Sequence, residues 1–283
     1  MSLIYKMLKK NIGLISLAFL VFFSESLTAK VFFWDGRDGQ RYYSDQDPKG
    51  IEANEMPLTG DTFYSVIKVY DGDTVLLGNR LKVRLLSINT PEIERYNKPE
   101  EAGGESAREG LIALLGGQKV RLEIDVERQD KYGRTLAHLF TTSGLHLNLE
   151  MVKRGWATVS LHPPNLKYST PMLLAQQWAQ SEQIALWGMN EYQPKVIADG
   201  LAKRSYGWQR LIGTVRAATL KRKYAYLSID SGELMIRIPR ANLSFFPDVM
   251  TYLDKKVEIR GWVSRRGKGR SVLVRHPSAL LIR

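Results

Sequence analysis

Hydrophobic and polar positions divide the chain into an apolar leader and three further segments, most of them patterned as strands. From Val31 to Pro48 two aromatic-rich runs flank Asp38-Gly39, which predicts a hairpin. Val66 to Tyr70 and Val75 to Leu77 are β-favouring runs, and Gly78-Asn79 turns the chain into a third, Leu81 to Leu86. Val120, Leu122, Ile124 and Val126 alternate with Arg121, Glu123, Asp125 and Glu127, the period-two pattern of a half-buried strand. Leu136 to Phe140 is another short strand. Helical spacing predicts one helix through Ala107, Leu111, Leu114 and Leu115. A second has Thr170 as N-cap, Pro171 at the first helical position and Gly188 beyond its end.

Five strands with helices between and after them predict a mainly β, α+β fold: a small closed barrel of the oligonucleotide-binding type. The last segment repeats the pattern. Gly213 to Val215, Tyr224 to Ile229, Leu234 to Ile238, Lys256 to Val263 and Ser271 to Arg275 read as five strands, with a helical stretch from Ala241 to Leu253 between the third and fourth. The expected divisions are a leader over 1–29, an aromatic hairpin module over 30–58, a first barrel domain over 60–192 and a second, basic one over 205–283.

The leader places Lys6, Lys9 and Lys10 before an uncharged run of 12 residues, Ile12 to Phe23, followed by small and polar residues. That order is the order of a secretory signal peptide, and the run is short against the ~20 residues that a spanning helix needs. Cleavage near Ser26 or Ala29 and retention as an anchor both stay open. In either case the remainder is expected to be secreted or periplasmic, touching membrane only through this leader.

Composition narrows the chemistry. The 283 residues contain no cysteine, which excludes disulfide scaffolds, cysteine-ligated zinc, iron–sulfur clusters and thiol catalysis. The net charge of +12 points to a polyanionic partner. It is unevenly placed: residues 201–283 hold 18 Lys plus Arg against 5 Asp plus Glu, leaving 23 against 24 in the first 200.

Several charged residues stand where folding alone would not put them. Asp71-Gly72-Asp73-Thr74 offers two carboxylates between apolar strands, a spacing that suits an oxygen-ligated cation and equally an ordinary turn. Arg84 lies in an apolar strand, where it must reach solvent or meet an anion. Asn89-Thr90-Pro91 delivers Glu92 at a strand end, because proline forces the residue before it to be extended. Asp130-Lys131-Tyr132-Gly133-Arg134 forms a turn with an arginine of its own. Two arginines, a glutamate and a carboxylate pair make the inventory for phosphodiester hydrolysis: cationic groups neutralise the phosphate and a carboxylate orients or deprotonates water.

The succession DGDT, RLLSINTPE, GGESA, DKYGR and NLEMVKRGWA over roughly residues 62 to 190 resembles the staphylococcal nuclease, or thermonuclease, family. The resemblance implies an oligonucleotide-binding barrel and Ca²⁺-dependent hydrolysis of DNA and RNA that leaves 3′-phosphate ends. It implies Asp73 as a calcium ligand, Asp71 as a supporting acid and Thr90 as a carbonyl donor. Arg84 and Arg134 would bind the phosphate and Glu92 would act as base or water-orienting group, with Lys131 and Tyr132 flanking a terminal phosphate. Asn89 stands where the best-known member has a second ligating aspartate, keeping an oxygen but losing a charge. Ser160-Leu161-His162-Pro163-Pro164 replaces that member's base-stacking tyrosines.

In the basic segment Lys221, Lys223, Tyr224 and Tyr226, together with Arg265 and Arg266, interleave charge with aromatic rings, a pattern suited to phosphate tracking and base stacking. The sequence therefore predicts an exported nuclease with an appended nucleic-acid grip and implies no protein partner. The alternative is a weak or silent nuclease-like protein that only binds nucleic acid.

Overall fold

The computed structural model describes residues 31–35, 41–44, 46, 48–50, 54–56, 62–94, 99–197, 207–230, 232, 234–266 and 269–283. The leader lies outside the described residues. Among them no helix is long and apolar enough to cross a membrane. The chain forms two units, residues 1–61 and 62–283.

In the first unit the two aromatic runs pair as antiparallel strands, β1 (Val31–Asp35) and β2 (Arg41–Ser44), with Trp34 opposite Tyr42 and their rings stacked 5.7 Å apart. A third strand, β3 (Asn54–Met56), which the sequence did not predict, pairs with the other edge of β1.

The second unit holds two barrels with separate cores. In the first, β4 (Val66–Asp71), β5 (Thr74–Leu77) and β6 (Lys82–Leu85) form a meander. A short β7 (Ile88–Asn89) and helix α1 (Gly104–Leu115) come next, then β8 (Val120–Glu123) and β9 (Thr135–Thr141). The sheet order is β4-β5-β6-β9-β8, with β6 and β9 parallel, and an antiparallel bridge between Tyr64 and Val120 closes the ring. Val75, Leu77, Val83, Leu85, Val120, Ala137 and Leu139 fill it, each at most 1% exposed. Burying them supplies most of the stability, at roughly 1.5–3 kcal/mol per large aliphatic side chain.

The alternating strand is shorter than its pattern. It stops at Glu123 because the Asp125 carboxylate takes the Val126 and Lys167 backbone N–H groups, leaving Val126 66% exposed. Helix α2 (Leu147–Lys153), absent from the sequence expectation, packs beneath the barrel, followed by β10 (Thr158–Val159) paired with β7. Helix α3 runs Ser169–Ser181, starting and ending earlier than expected. Tyr168 rather than Thr170 caps it, held by its hydroxyl on Glu123 Oε1 at 2.6 Å. Gln183 then adopts a positive φ, which ends the helix and sends Leu186 and Trp187 into the core through a 3₁₀ turn, Ala185–Gly188. Trp178, on the outer face of α3, is 48% exposed.

The second barrel repeats the connectivity. Its strands are β12 (Gly207–Leu220), β13 (Tyr224–Ile229), β14 (Leu234–Pro239), β15 (Lys256–Arg266) and β16 (Gly269–Leu273). The order is β12-β13-β14-β16-β15, with β14 and β16 parallel and β15 returning to pair with β12 from Gly207↔Val263 to Thr214↔Lys256. In place of the expected helix over 241–253 there are two 3₁₀ turns, Arg240–Phe245 and Val249–Tyr252. Pro247 separates them: it holds Phe246 extended, and Asp248 then caps the second turn through the Met250 N–H at 2.9 Å. Trp262 of β15 is 48% exposed.

The two barrels are joined by more than the chain. Strand β11 (Lys195–Val196) adds to β12, Trp208 packs against Tyr192 and Trp187 at 5.3 and 6.2 Å, and Arg210 Nη1 donates to the Tyr192 carbonyl at 3.1 Å. Arg210 also pairs with the fully buried Glu258, which Arg260 and Arg283 bind as well. A carboxylate in an apolar barrel is tolerable there because three guanidinium groups neutralise it.

Candidate nucleic-acid cleavage site

The β4–β5 turn carries Asp71 and Asp73, both nearly buried. The turn is tight: the Asp73 N–H donates to Asp71 Oδ1 at 3.1 Å, and a Cβ on Gly72 would lie 2.7 Å from Thr90 Cγ2. Glycine is therefore needed for the loop to close against Thr90. The β5–β6 register sets Thr74 opposite Arg84 and so brings Arg84 to Asp73: Nη2 lies 2.9 Å from Asp73 Oδ2 and 3.4 Å from Asn89 Oδ1. Nη1 donates to the Leu85 carbonyl at 2.9 Å, so the guanidinium is oriented from two sides.

Asp73 Oδ2 also accepts the Thr90 N–H at 3.0 Å, and Asn89 Nδ2 donates to the Thr90 carbonyl at 3.2 Å. The Thr90 hydroxyl is buried with no hydrogen bond among the described residues. Burial pushes the Asp73 carboxyl up to about 6; Arg84 and the Thr90 N–H pull it down, while Asp71 pushes it further up. Two adjacent carboxylates out of water are costly, and a cation would relieve both.

Glu92 stands at the edge of this cluster with its side chain exposed. Its backbone is fixed by Glu101, whose N–H donates to the Glu92 carbonyl at 2.9 Å and whose carboxylate accepts the Glu92 N–H at 3.1 Å. A Cβ on Gly104 would lie 2.6 Å from that carbonyl, so the first residue of α1 must be glycine for helix and strand end to meet. Residues 95–98 of the adjoining loop lie outside the described residues.

Arg134 immediately precedes β9, which runs parallel to β6 with Thr135 opposite Val83 and Leu136 opposite Arg84. Asp130 builds its turn: it accepts the Tyr132 and Arg134 N–H groups at 2.9 and 3.0 Å and pairs with Arg134 Nε at 2.8 Å. These bonds hold the Asp130 carboxyl below the usual range against the opposing effect of burial. Lys131 and Tyr132 form the exposed tip, Tyr132 being 72% exposed with Lys131 Nζ 4.8 Å from its ring.

The structure thus brings Asp71, Asp73, Arg84, Asn89 and Thr90 into one contact network; Glu92 follows Thr90 by two residues, and Arg134 is held in its own turn by Asp130. Lys221, Lys223, Tyr224, Tyr226, Arg265 and Arg266 are not part of it. They lie on the second barrel, the first four at the β12–β13 turn and strand, the last two at the end of β15.

Two supporting residues escaped the sequence reading. Asn148 of α2 is fully buried and clamps the barrel, donating to the Leu86 carbonyl at 2.9 Å and accepting the Leu139 N–H at 2.9 Å. Its signal was an asparagine among apolar helix positions. Thr158 Oγ1 donates to the Asn89 carbonyl at 3.1 Å. His162 is exposed, with its Nε2 3.2 Å from Ser160 Oγ, and the positive charges of Arg275 and Arg84 disfavour its protonation.

A closed five-stranded barrel of this connectivity, with helices packed on it, is an oligonucleotide-binding fold, here with a buried carboxylate pair at one strand turn and an arginine seated on it. The model of the family described as staphylococcal nuclease homologue matches residues 82–189. A thermonuclease of Staphylococcus intermedius is 39% identical over 127 residues, covering 44% of this chain and 75% of the relative. A thermonuclease of Staphylococcus hyicus is 35% identical over 127 residues with the same coverage. An endonuclease of Bacillus subtilis is 33% identical over 130 residues, covering 44% of this chain and 61% of the relative. The chain belongs to the staphylococcal nuclease homologue family.

Proposed function

We propose that the protein is an exported, calcium-dependent nuclease that hydrolyses phosphodiester bonds of DNA and RNA and leaves 3′-phosphate ends. The observation that carries this reading is the seating of Arg84 on the buried Asp73 beside Asp71, Asn89 and the Thr90 carbonyl. The donor set is all oxygen, which fits a hard cation and not a soft one. Asp73, Asp71, Asn89 and the Thr90 carbonyl would hold calcium, which when bound supplies positive charge beside the phosphate.

The chain's own groups do the rest. Arg84 and Arg134 bind the non-bridging phosphate oxygens and stabilise charge that develops on them. Glu92, exposed at the border, orients or deprotonates the attacking water. The new P–O bond forms as the bond to the 5′ oxygen breaks, so the phosphate stays on the 3′ side. Lys131 and Tyr132 flank a terminal phosphate at the exposed tip.

Export rests on the leader, and the relatives named thermonuclease support the reaction class. The first domain, 60–192, carries the chemistry. The basic domain, 205–283, holds substrate through Lys221, Lys223, Tyr224, Tyr226, Arg265 and Arg266.

End-group analysis of digested single-stranded DNA and RNA tests the reading. It expects 3′-phosphates, and a loss of product with Glu92→Gln. Products ending in 3′-hydroxyl would overturn the assigned bond, and binding without product would favour a silent nucleic-acid-binding protein.

A further inference from the structure

On the second barrel the outward positions of four neighbouring strands form an open groove of about 440 Å³. The period-two rule explains its lining. Ala225, Leu227 and Ile229 of β13 fill the barrel core, so Tyr226 and Ser228 face out. Leu234, Ile236 and Ile238 of β14 do the same for Met235 and Arg237. Lys221 from the β12–β13 turn and Arg270 from β16 complete the groove. Three cationic side chains, Lys221, Arg237 and Arg270, line it.

The groove is built as well as charged. Lys221 Nζ lies 5.6 Å from the Tyr226 ring, the Tyr224 and Tyr226 rings are 6.0 Å apart, and the Arg237 guanidinium lies 5.5 Å from the Tyr224 ring. Arg237 is only 8% exposed, so its charge forms part of the floor instead of a solvated fringe.

We propose that this groove binds single-stranded polynucleotide, with Tyr226 as a stacking platform for a base and Lys221, Arg237 and Arg270 as phosphate contacts. A base can reach a half-buried ring in a concavity only when it is unstacked, which selects single strands over duplex. The proposal deepens the nuclease reading and rests on it for what the strand is held for.

The Val274 N–H donates to the Arg237 carbonyl at 2.9 Å, so Arg275 follows directly from the groove strands. Arg275 in turn lies close enough to His162 to help hold that ring neutral, as does Arg84. His162 occupies the stretch in which the sequence lacks stacking tyrosines, and Tyr224 and Tyr226 supply the aromatic surface from the second barrel.

The test is fluorescence anisotropy with the full chain, in chelator so that nothing is cleaved, using labelled oligothymidylate of about 16 nucleotides over a salt series. Tyr226→Ala is expected to weaken binding at least about fivefold, with affinity retained in Tyr226→Phe. Lys221→Ala, at an exposed turn and so harmless to folding, and Arg270→Ala are each expected to flatten the log Kd against log salt slope by about 0.7. Unchanged affinity and slope in these variants, or equally tight binding of duplex DNA with the same sensitivities, would overturn the groove. A protein that cleaves with calcium but shows that unchanged binding loses the groove alone. One that binds as expected but cleaves with no cation loses the nuclease reading and keeps the groove.

Discussion

Arg84 Nη2 lies 2.9 Å from Asp73 Oδ2, although 11 residues separate the two in sequence. The proposed phosphate-binding group is therefore seated on a proposed cation ligand, and substrate and cation must divide that pair between them. Arg84→Ala is expected to lower the cleavage rate by a factor on the order of 10² to 10³, as loss of one pre-placed charged donor does elsewhere. Thermal unfolding should stay cooperative in the same variant. A rate within threefold of the parent would remove Arg84 from the site.

Asn89 contributes an oxygen without a charge, and Arg84 draws on that oxygen at 3.4 Å. Asn89→Asp adds a third carboxylate beside Asp71 and Asp73, so calcium should bind more tightly, seen as a lower half-saturating calcium concentration for cleavage and in calorimetry. Equal or weaker calcium binding would mean that residue 89 does not face the ion.

Stability should fall on acidification from about pH 6.5. Burial holds His138 at about 4 and His146 at about 3, so the unfolded chain takes up protons at these positions before the folded one does. His138 Nδ1 and His146 Nε2 are 3.1 Å apart, near Glu123, Asp125, Arg121, Lys167 and Tyr168. A depressed folded pKa gives stability that is present above the unfolded value and lost as pH drops towards the folded one. Asp73, raised to about 6, works in the opposite sense. Two histidines against one carboxyl leave a net uptake of about one proton on unfolding near pH 5, or about 1.4 kcal/mol per pH unit. Urea midpoints measured from pH 7 to 4.5 check this, and a flat profile would contradict it.

Glu258 neutralises Arg210, Arg260 and Arg283 inside the second barrel, and Arg210 also holds the Tyr192 carbonyl of the first. Glu258→Ala strands buried guanidinium charge and should cost about 3–5 kcal/mol, seen as a large drop in the unfolding midpoint. A loss under 1 kcal/mol would mean that the charges find water.

Much of the fold was legible because strand periodicity survives in residues such as Val75, Val83 and Leu227, which face a core on alternate positions. What escaped depended on particular side chains. The strand from Val120 ended early where Asp125 captured backbone N–H groups, and the stretch from Ala241 broke at Pro247. Helix α2 is too short at seven residues to show a helical period. At the site the motifs located Asp73, Arg84, Glu92 and Arg134, but the seat of Arg84 on Asp73 follows from strand register, which no local pattern encodes. Asp130 as the anchor of Arg134, Asn148 as a clamp and Arg275 beside His162 follow from tertiary placement alone.

The most direct measurement is the rate of single-stranded DNA cleavage by the purified protein with calcium, magnesium or manganese, set against chelator. Cleavage that appears with calcium, disappears with chelator and is lost in Glu92→Gln is the predicted result. Absence of turnover with all three cations would contradict the claim that Asp71, Asp73, Arg84 and Glu92 form a nuclease site.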